Sequence, residues 1–322
     1  MIRVAIVGAG PAGLIAARRI QDAGGAVTVF DKGRRPGGRL NTREHGAHRF
    51  DHGAQFFTVR DARVQPLLVD WLQRGVVKPW EGRLVRLTGD AVEPARPAER
   101  YVGSPGMISL AHDLAEGLDV HAGVRIERVA REGSSWRLHD DAGVERGSFE
   151  RVVIAVPAPQ AAPLLHDAPE LQRSAASGEM APCWAGMFVF GERPPLDFDG
   201  AFVSDGDLSW VARDASKPGR PDDESWVVHA TPDWTRRHWN VDRAEIPGLL
   251  RGVLEARFGT MPDTVFARAH RWGYALSSEP APGTLWDDSR GIGAAGDWCA
   301  GGRVEGALTS GIEIADRVLN SI

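Results

Sequence analysis

The residues whose type and spacing dictate a chemistry are three glycines. Gly8, Gly10 and Gly13 stand in the order G-x-G-x-x-G within Gly8-Ala-Gly-Pro-Ala12-Gly13. Gly8 permits a tight turn, Gly10 lets the backbone approach a diphosphate, and Gly13 lets the next helix pack closely, with its N-terminus toward the phosphates. Asp31, with Lys32 beside it, is placed to accept hydrogen bonds from ribose hydroxyls. The elements needed to hold these groups can be read around them. Arg3–Val7 is a short apolar run expected to be a buried strand. Leu14–Ala23 reads as a helix, and Ala26–Phe30 as a second strand ending on Asp31. Strand, turn, helix, strand and acid in register predict a dinucleotide-binding unit.

A second glycine motif narrows the choice of dinucleotide. Gly37-Gly38-Arg39 resembles the second motif of the flavin amine oxidase superfamily, where a glycine pair hugs the pyrophosphate and an arginine neutralises it. Further on, Asp51-His-Gly-Ala-Gln-Phe-Phe-Thr58 is similar to the segment beside the isoalloxazine ring in the renalase family, its bacterial members in particular. Gly296-Asp-Trp-Cys-Ala-Gly-Gly-Arg-Val-Glu-Gly-Ala307, Ser216–Arg220 and Ala269–Ala275 resemble the same family. The resemblance covers nearly the whole chain and is most specific at its ends.

What it implies is noncovalent FAD. Gly38 and Arg39 would clamp the pyrophosphate, and Gly53, Ala54, Gln55 and Phe56 would run beside the ring. A residue near Val124 would pack on the adenine. Gly296 and Asp297 would hold the ribityl chain, while Val304, Glu305 and Gly306 open a helix whose positive end suits an anionic reduced flavin. The resemblance implies an oxidase that takes 2- and 6-dihydro isomers of NAD(P)H to NAD(P)+ by hydride transfer to flavin N5, with O2 reduced to H2O2. Its partners would be a small-molecule dinucleotide and O2.

The fold expected is α/β: a Rossmann-like FAD-binding domain of the p-hydroxybenzoate hydroxylase/amine oxidase type, with a second α+β substrate domain on a largely antiparallel sheet. We assign residues 1–60, 100–162 and 286–322 to the first and 61–99 and 163–285 to the second. A helix is expected over 63–74, strands at 77–80 and 83–87, an exposed connection over 91–100, and a helix over 108–117. Strands are expected at 120–121, 124–129, 136–139 and 151–156. In the second half, strands at 184–190, 200–204, 208–211, 226–231 and 264–275 flank a helix over 243–258. Eight of the 11 tryptophans lie in that half, as a substrate domain laid over an aromatic cofactor would require.

Alternation along the last of these strands puts His270, Trp272 and Tyr274 on one face. With Phe56, His229 and Trp234 they are candidates for the pocket wall, and Arg220 and Arg271 are candidates to meet substrate phosphates. No catalytic residue is singled out.

Two features weigh against amine oxidation and covalent flavin. The lysines are Lys32, Lys78 and Lys217 only. The first lies in the adenosine clamp, the second early in the second domain and the third in a Pro-Gly turn, so none stands in the 264–275 strand where amine oxidases commonly carry one. Cys299 lies inside the C-terminal acidic motif and not upstream of it. Two cysteines make neither a disulfide framework nor a zinc site, and no metal is expected. A net charge of −5 at pI near 6.1, without a lysine-rich run, argues against nucleic acid and anionic membranes. The expectation is a cytoplasmic protein without a membrane segment. An amine oxidase or aromatic hydroxylase on the same fold, and a flavin-binding regulator without turnover, are the rival readings.

Overall fold

The computed structural model describes residues 1–277 and 283–321. Val4, Ala5 and Ile6 are fully buried because the strand Arg3–Val7 is covered on both faces. Around it forms a six-stranded sheet in the order Leu285–Asp287, Ile292–Ala294, Arg151–Ile154, Arg3–Val7, Ala26–Asp31, Asp119–Ala122. All neighbours are parallel except the edge strand Leu285–Asp287. The first helix, Pro11–Asp22, packs against the last, Val304–Asn320. Gly311 permits this, since a Cβ there would lie 2.4 Å from the Ala12 carbonyl oxygen.

A second sheet of seven strands runs in the order Thr264–Ser277, Met180–Phe190, Ser225–Ala230, Leu208–Arg213, Gly200–Val203, Leu84–Thr88, Ala91–Pro94. It is antiparallel apart from the pairing of Gly200–Val203 with Leu84–Thr88. One face buries Trp184, Phe188 and Trp226, joined by Trp234 of the short helix Pro232–Arg237, against the helix Ile246–Phe258. Each such side chain contributes roughly 1.5–3 kcal/mol on leaving water. The other face, carrying Trp210 and Ala212, joins the core of the first sheet. A hairpin of Thr42–His45 and His48–Asp51 reaches across, and its Phe50 packs with Met187, Val189 and Val227.

The sequence reading needs four corrections here. Ala91–Pro94 is an edge strand and not a plain connection; it turns at Gly89 (φ +54°), and every residue of it is exposed. Its proline is tolerated at an edge. The strand expected from Val124 starts at Ile126 and runs to Glu132, and it belongs to a three-stranded sheet with Ser135–Asp140 and Glu145–Phe149. That third strand, Glu145-Arg-Gly-Ser-Phe149, lacks an apolar alternation that would announce it. Short helices at Ala158–Leu164, Pro169–Ala176 and Pro232–Arg237 were likewise not foreseen, each being too brief for its periodicity to stand out. Among the described residues, no helix is long and apolar enough to cross a membrane.

Candidate cofactor and substrate site

Gly8 has φ +114°, and a Cβ there would sit 2.3 Å from the Ala155 carbonyl oxygen. A Cβ on Gly13 would sit 2.0 Å from the Gly8 oxygen. Gly10, by contrast, faces open space. It caps the first helix without a side-chain partner, so the leading N–H groups point into that space. Ala12 lies behind it, buried in the helix. The second motif docks on the first: the Gly37 N–H donates to the Ala9 oxygen at 2.7 Å, and Gly38 (φ +52°) lies against the Gly10 Cα.

Asp31 stitches these loops. Its two oxygens accept from the Ala9 and Gly33 N–H groups, each at 2.6 Å. Burial raises its pKa, and the two N–H bonds oppose that. Expected only to hold ribose, it also fixes the loop that would hold phosphate, and each oxygen keeps a lone pair for a hydroxyl. Lys32 is exposed, and Val124 is half-buried with its N–H on the Asp31 carbonyl.

Arg39 and Asp297 were expected at different parts of the cofactor. They form a bidentate pair at 2.5 and 2.8 Å, with Arg39 also donating to the Ala275 oxygen at 2.9 Å. A Cβ on Gly53 would lie 2.0 Å from the Arg39 carbonyl oxygen, to which the Ala54 N–H donates at 2.9 Å. Gly296 donates to Ser310 Oγ at 3.1 Å, placing Asp297 beside the last helix. That helix begins at Val304 without a side-chain cap. Gly306 allows the entry, since a Cβ would be 2.1 Å from the Ala300 oxygen. Glu305 turns away from the helix end. Its carboxylate accepts from the N–H groups of Arg60 and Asp61, tying down the segment after Phe57.

Several candidate residues are corrected by their partners. Gln55 does not present its side chain to a ligand. Its amide donates to the oxygens of Asp51 and Gly53, and its oxygen accepts from Trp210 Nε1 and Lys217 Nζ, both at 3.1 Å. Arg220 is fully buried, donating to Asp51 and to the oxygens of Gly103 and Pro218, so it cannot reach a substrate phosphate. Arg271 lies on the opposite strand face from His270 and stacks on Trp239, its carbon 3.9 Å from the ring centre. Trp234 belongs to the core under the helix Ile246–Phe258, stacked on His238 at 4.0 Å.

Lys217 is the largest departure. Far from idling in a turn, its ammonium is buried, 2.5 Å from Asp214 and 3.4 Å from Asp51. With Arg220 these groups form a balanced set of two cations and two anions. Thr42 and the Met107 N–H also donate to Asp51, at 2.6 and 2.9 Å. Burial would raise the Asp51 pKa, but Arg220 and Lys217 hold it down at about 2. Asp214 goes the other way, raised by its burial.

Two walls result beside Gly53. One is aromatic: Phe56 packs with Trp80, Phe202 and Trp210 at centroid distances of 6.1, 6.1 and 5.7 Å. The other centres on His52, whose ring meets His270 at 4.9 Å and Trp272 at 5.1 Å. Its carbonyl accepts from Trp272 Nε1 at 2.8 Å and from His229 Nε2 at 3.2 Å. Burial, reinforced by nearby positive charge, lowers the pKa of His52 to about 3, and of His229 and His270 to about 4. All three are neutral at pH 7. Tyr274 lies further along, exposed. Burial likewise pushes the Cys183 thiol up to about 12 and raises that of Cys299, so neither offers a thiolate for flavin linkage. Among the described residues, no cluster could hold a metal.

His52 was passed over as a spacer within its motif, although the aromatic face of the partner strand hinted at a ring opposite. Asp51 and Lys217 stand inside quoted motifs, but nothing in the sequence showed that they meet each other and Asp214.

The chain has relatives of known kind. The model of the flavin-containing amine oxidoreductases matches residues 81–319, and that of NAD(P)-binding Rossmann-like domains matches residues 6–71. A neurosporene-forming phytoene desaturase of Rhodobacter capsulatus is 46% identical over 70 residues, 22% of this chain and 13% of that protein. A 1-hydroxycarotenoid 3,4-desaturase of a Flavobacterium is 40% identical over 74 residues, 23% of this chain and 14% of that protein. Among solved structures, a candidate protoporphyrinogen oxidase from Exiguobacterium sp. 255-15 superposes with a TM-score of 0.81 at 15% identity, covering 100% of this chain and 99% of that one. Cyclohexylamine oxidase from Brevibacterium oxydans gives 0.77 at 14%, covering 99% of each. Such identities speak for the fold. The open groove at Gly10, the two bare helix ends and the Arg39–Asp297 pair fit FAD. The chain belongs to the flavin-containing amine oxidoreductases and is an FAD-dependent oxidoreductase.

Proposed function

We propose that the protein oxidises 2- and 6-dihydro isomers of NAD(P)H to NAD(P)+, with O2 as the final acceptor and H2O2 as product. The observation that carries this reading is that, among the described residues, the two walls beside Gly53 hold no group basic enough to take a proton from an ammonium. Their imidazoles are neutral with low pKa values, and the nearby lysine has its three protons engaged by Asp51, Asp214 and Gln55. Amine oxidation calls for a deprotonated amine. A dihydropyridine loses hydride without losing a proton and becomes aromatic, so it needs only to be held in place. The bound FAD supplies the two-electron acceptor and the onward reaction with oxygen.

In this reading the ring of Trp272, backed by the buried His52, and the ring of Phe56 orient the nicotinamide ring and exclude water. Lys217 takes no part in proton transfer. Ordinary NADH carries its hydride on another ring carbon, and the same pose leaves it unreactive. The test is anaerobic stopped-flow mixing of the FAD-loaded protein with each dihydro isomer, ordinary NAD(P)H and a panel of amines, followed by peroxide measurement in air. Rapid flavin bleaching by the 2- or 6-dihydro isomers supports the proposal. Faster bleaching by an amine, or by ordinary NADPH as a hydroxylase requires, overturns it.

A further inference from the structure

Arginines from four separate segments meet beside the His52 wall. The hairpin strand Thr42–His45 crosses the long strand Thr264–Ser277, with His45 stacked on Phe266 at 4.1 Å. Arg43 lies two residues from His45 on the same face, and Arg268 and His270 follow Phe266 on theirs. Arg243 donates from Nε to the Ala269 oxygen at 2.8 Å, which brings its guanidinium alongside. Arg35, from the loop before Gly37, completes the group. The like charges are close enough that, after burial, Arg268, Arg243 and Arg35 pull the Arg43 pKa down.

No acid among the described residues is seen to balance them. The neighbouring acids are engaged elsewhere: Glu44 pairs with Arg49, Asp223 with His48, and Asp242 caps the Ala244 N–H. Among the described residues, Arg35, Arg43 and Arg268 make no ion pair. Three buried polar atoms in this neighbourhood also lack a partner: Arg43 Nε, His52 Nδ1 and His270 Nδ1. Converging guanidiniums without counter-charge are unfavourable unless an anion of matching shape joins them.

We propose that Arg43, Arg243 and Arg268, with Arg35 at the rim, form a subsite for the diphosphate of a dinucleotide substrate. It deepens the reading above by naming where such a substrate is held. The adjacent His52–Trp272 wall then receives the ring at the other end of the molecule. Planar forks suit phosphate oxygens two at a time, and four separate segments fit an extended anion better than a single carboxylate.

The test uses FAD-loaded protein and ADP-ribose, which has the diphosphate but no ring to oxidise. Binding is followed through the flavin absorbance spectrum, with inorganic pyrophosphate and succinate as competing probes. ADP-ribose should bind, pyrophosphate should compete and succinate should not. Arg268→Gln and Arg43→Gln should each weaken ADP-ribose roughly tenfold or more, with FAD content and melting temperature unchanged for Arg268→Gln. Arg128→Gln, at an exposed position on the strand Ile126–Glu132 of the three-stranded sheet, should match the wild type. Unchanged ADP-ribose affinity in both variants overturns the subsite. So does a loss of FAD with Arg268→Gln, which would assign the cluster to the cofactor. If the dihydro isomers fail to bleach the flavin while ADP-ribose binding still depends on Arg268, the subsite stands and the proposed reaction falls.

Discussion

Lys217→Met is the perturbation that most directly tests how the site is supported. Lys217, Arg220, Asp51 and Asp214 all have fully buried side chains, with Nζ 2.5 Å from Asp214 and 3.4 Å from Asp51. Methionine keeps the volume but leaves two carboxylates against one guanidinium. Breaking a buried pair from one side costs about 3–5 kcal/mol, because the stranded charge can neither leave nor hydrate. The structure names the group that responds: Asp214, whose pKa burial already raises. Without the lysine it rises further, and a folded pKa above the unfolded value gives stability that is present at low pH and lost as pH rises. The deficit against wild type should therefore be largest near pH 7.5 and shrink toward pH 5. Adding Asp214→Asn removes the stranded charge and should recover much of the loss at pH 7.5. The assay is urea unfolding of the FAD-loaded proteins at both pH values. A variant as stable as wild type at pH 7.5, or a double mutant less stable than the single, would refute the charge balance. Full stability with lost turnover would instead make Lys217 a participant in the reaction.

Three other outcomes are expected. Gly53→Ala puts a Cβ 2.0 Å from the Arg39 carbonyl oxygen, so FAD should bind roughly tenfold or more weaker, measured by titration of the apoprotein; wild-type affinity would show that the segment does not line the cofactor. Arg39→Ala leaves Asp297 unpaired and Asp31→Ala frees the Ala9 and Gly33 N–H groups, and loss of such charge-assisted contacts, about 1.5–3 kcal/mol, should also cost roughly tenfold in FAD affinity with turnover of the loaded enzyme little changed. Wild-type stability should fall as pH drops from 6.5 toward 4, because His52, His229 and His270 stay neutral in the fold while the unfolded chain takes up protons, by up to about 1.4 kcal/mol per unit for each; His229→Gln should flatten the slope, and an unchanged slope would show that this histidine is not held neutral.

What the sequence made legible was whatever is decided within a few residues. Gly8, Gly13 and Gly306 are required by carbonyl oxygens close in the chain or in the adjoining strand, and a motif records such demands directly. The strand alternation that placed His270 and Trp272 together held, and it already separated Arg268 from Arg271, but a bulge between Trp272 and Leu276 breaks it and leaves Tyr274 exposed; the chain offered no reason to prefer one arginine until the hairpin was seen to cross that face. Lys217 failed for the opposite reason. Ser216-Lys-Pro-Gly-Arg220 has the composition of a solvent-exposed turn, and of the two carboxylates that hold its ammonium one, Asp51, lies 166 residues away. Trp234 and Arg220 misled in the same manner, since residue type suggested a ligand contact where long-range packing had already used the side chain.

The stretch from Asp51 to Phe57 shows why this matters for activity. The Asp51 carboxylate is held by Arg220, Lys217 and Thr42, and the His52 carbonyl by Trp272 and His229. Gly53 lies on the Arg39 backbone, and the Gln55 side chain is consumed by Trp210 and Lys217. Phe57 exchanges backbone bonds with Tyr101 at 2.8 and 2.9 Å. Almost every residue is thus fixed by a different element, drawn from both sheets, and apart from the buried, weakly basic ring of His52 little hydrogen-bonding capacity is left to act as acid or base. A site built this way contributes orientation and not proton transfer. It suits a substrate whose chemistry is complete once it is correctly placed, and it moves the burden of discrimination from the reacting ring to the groups that grip the rest of the molecule.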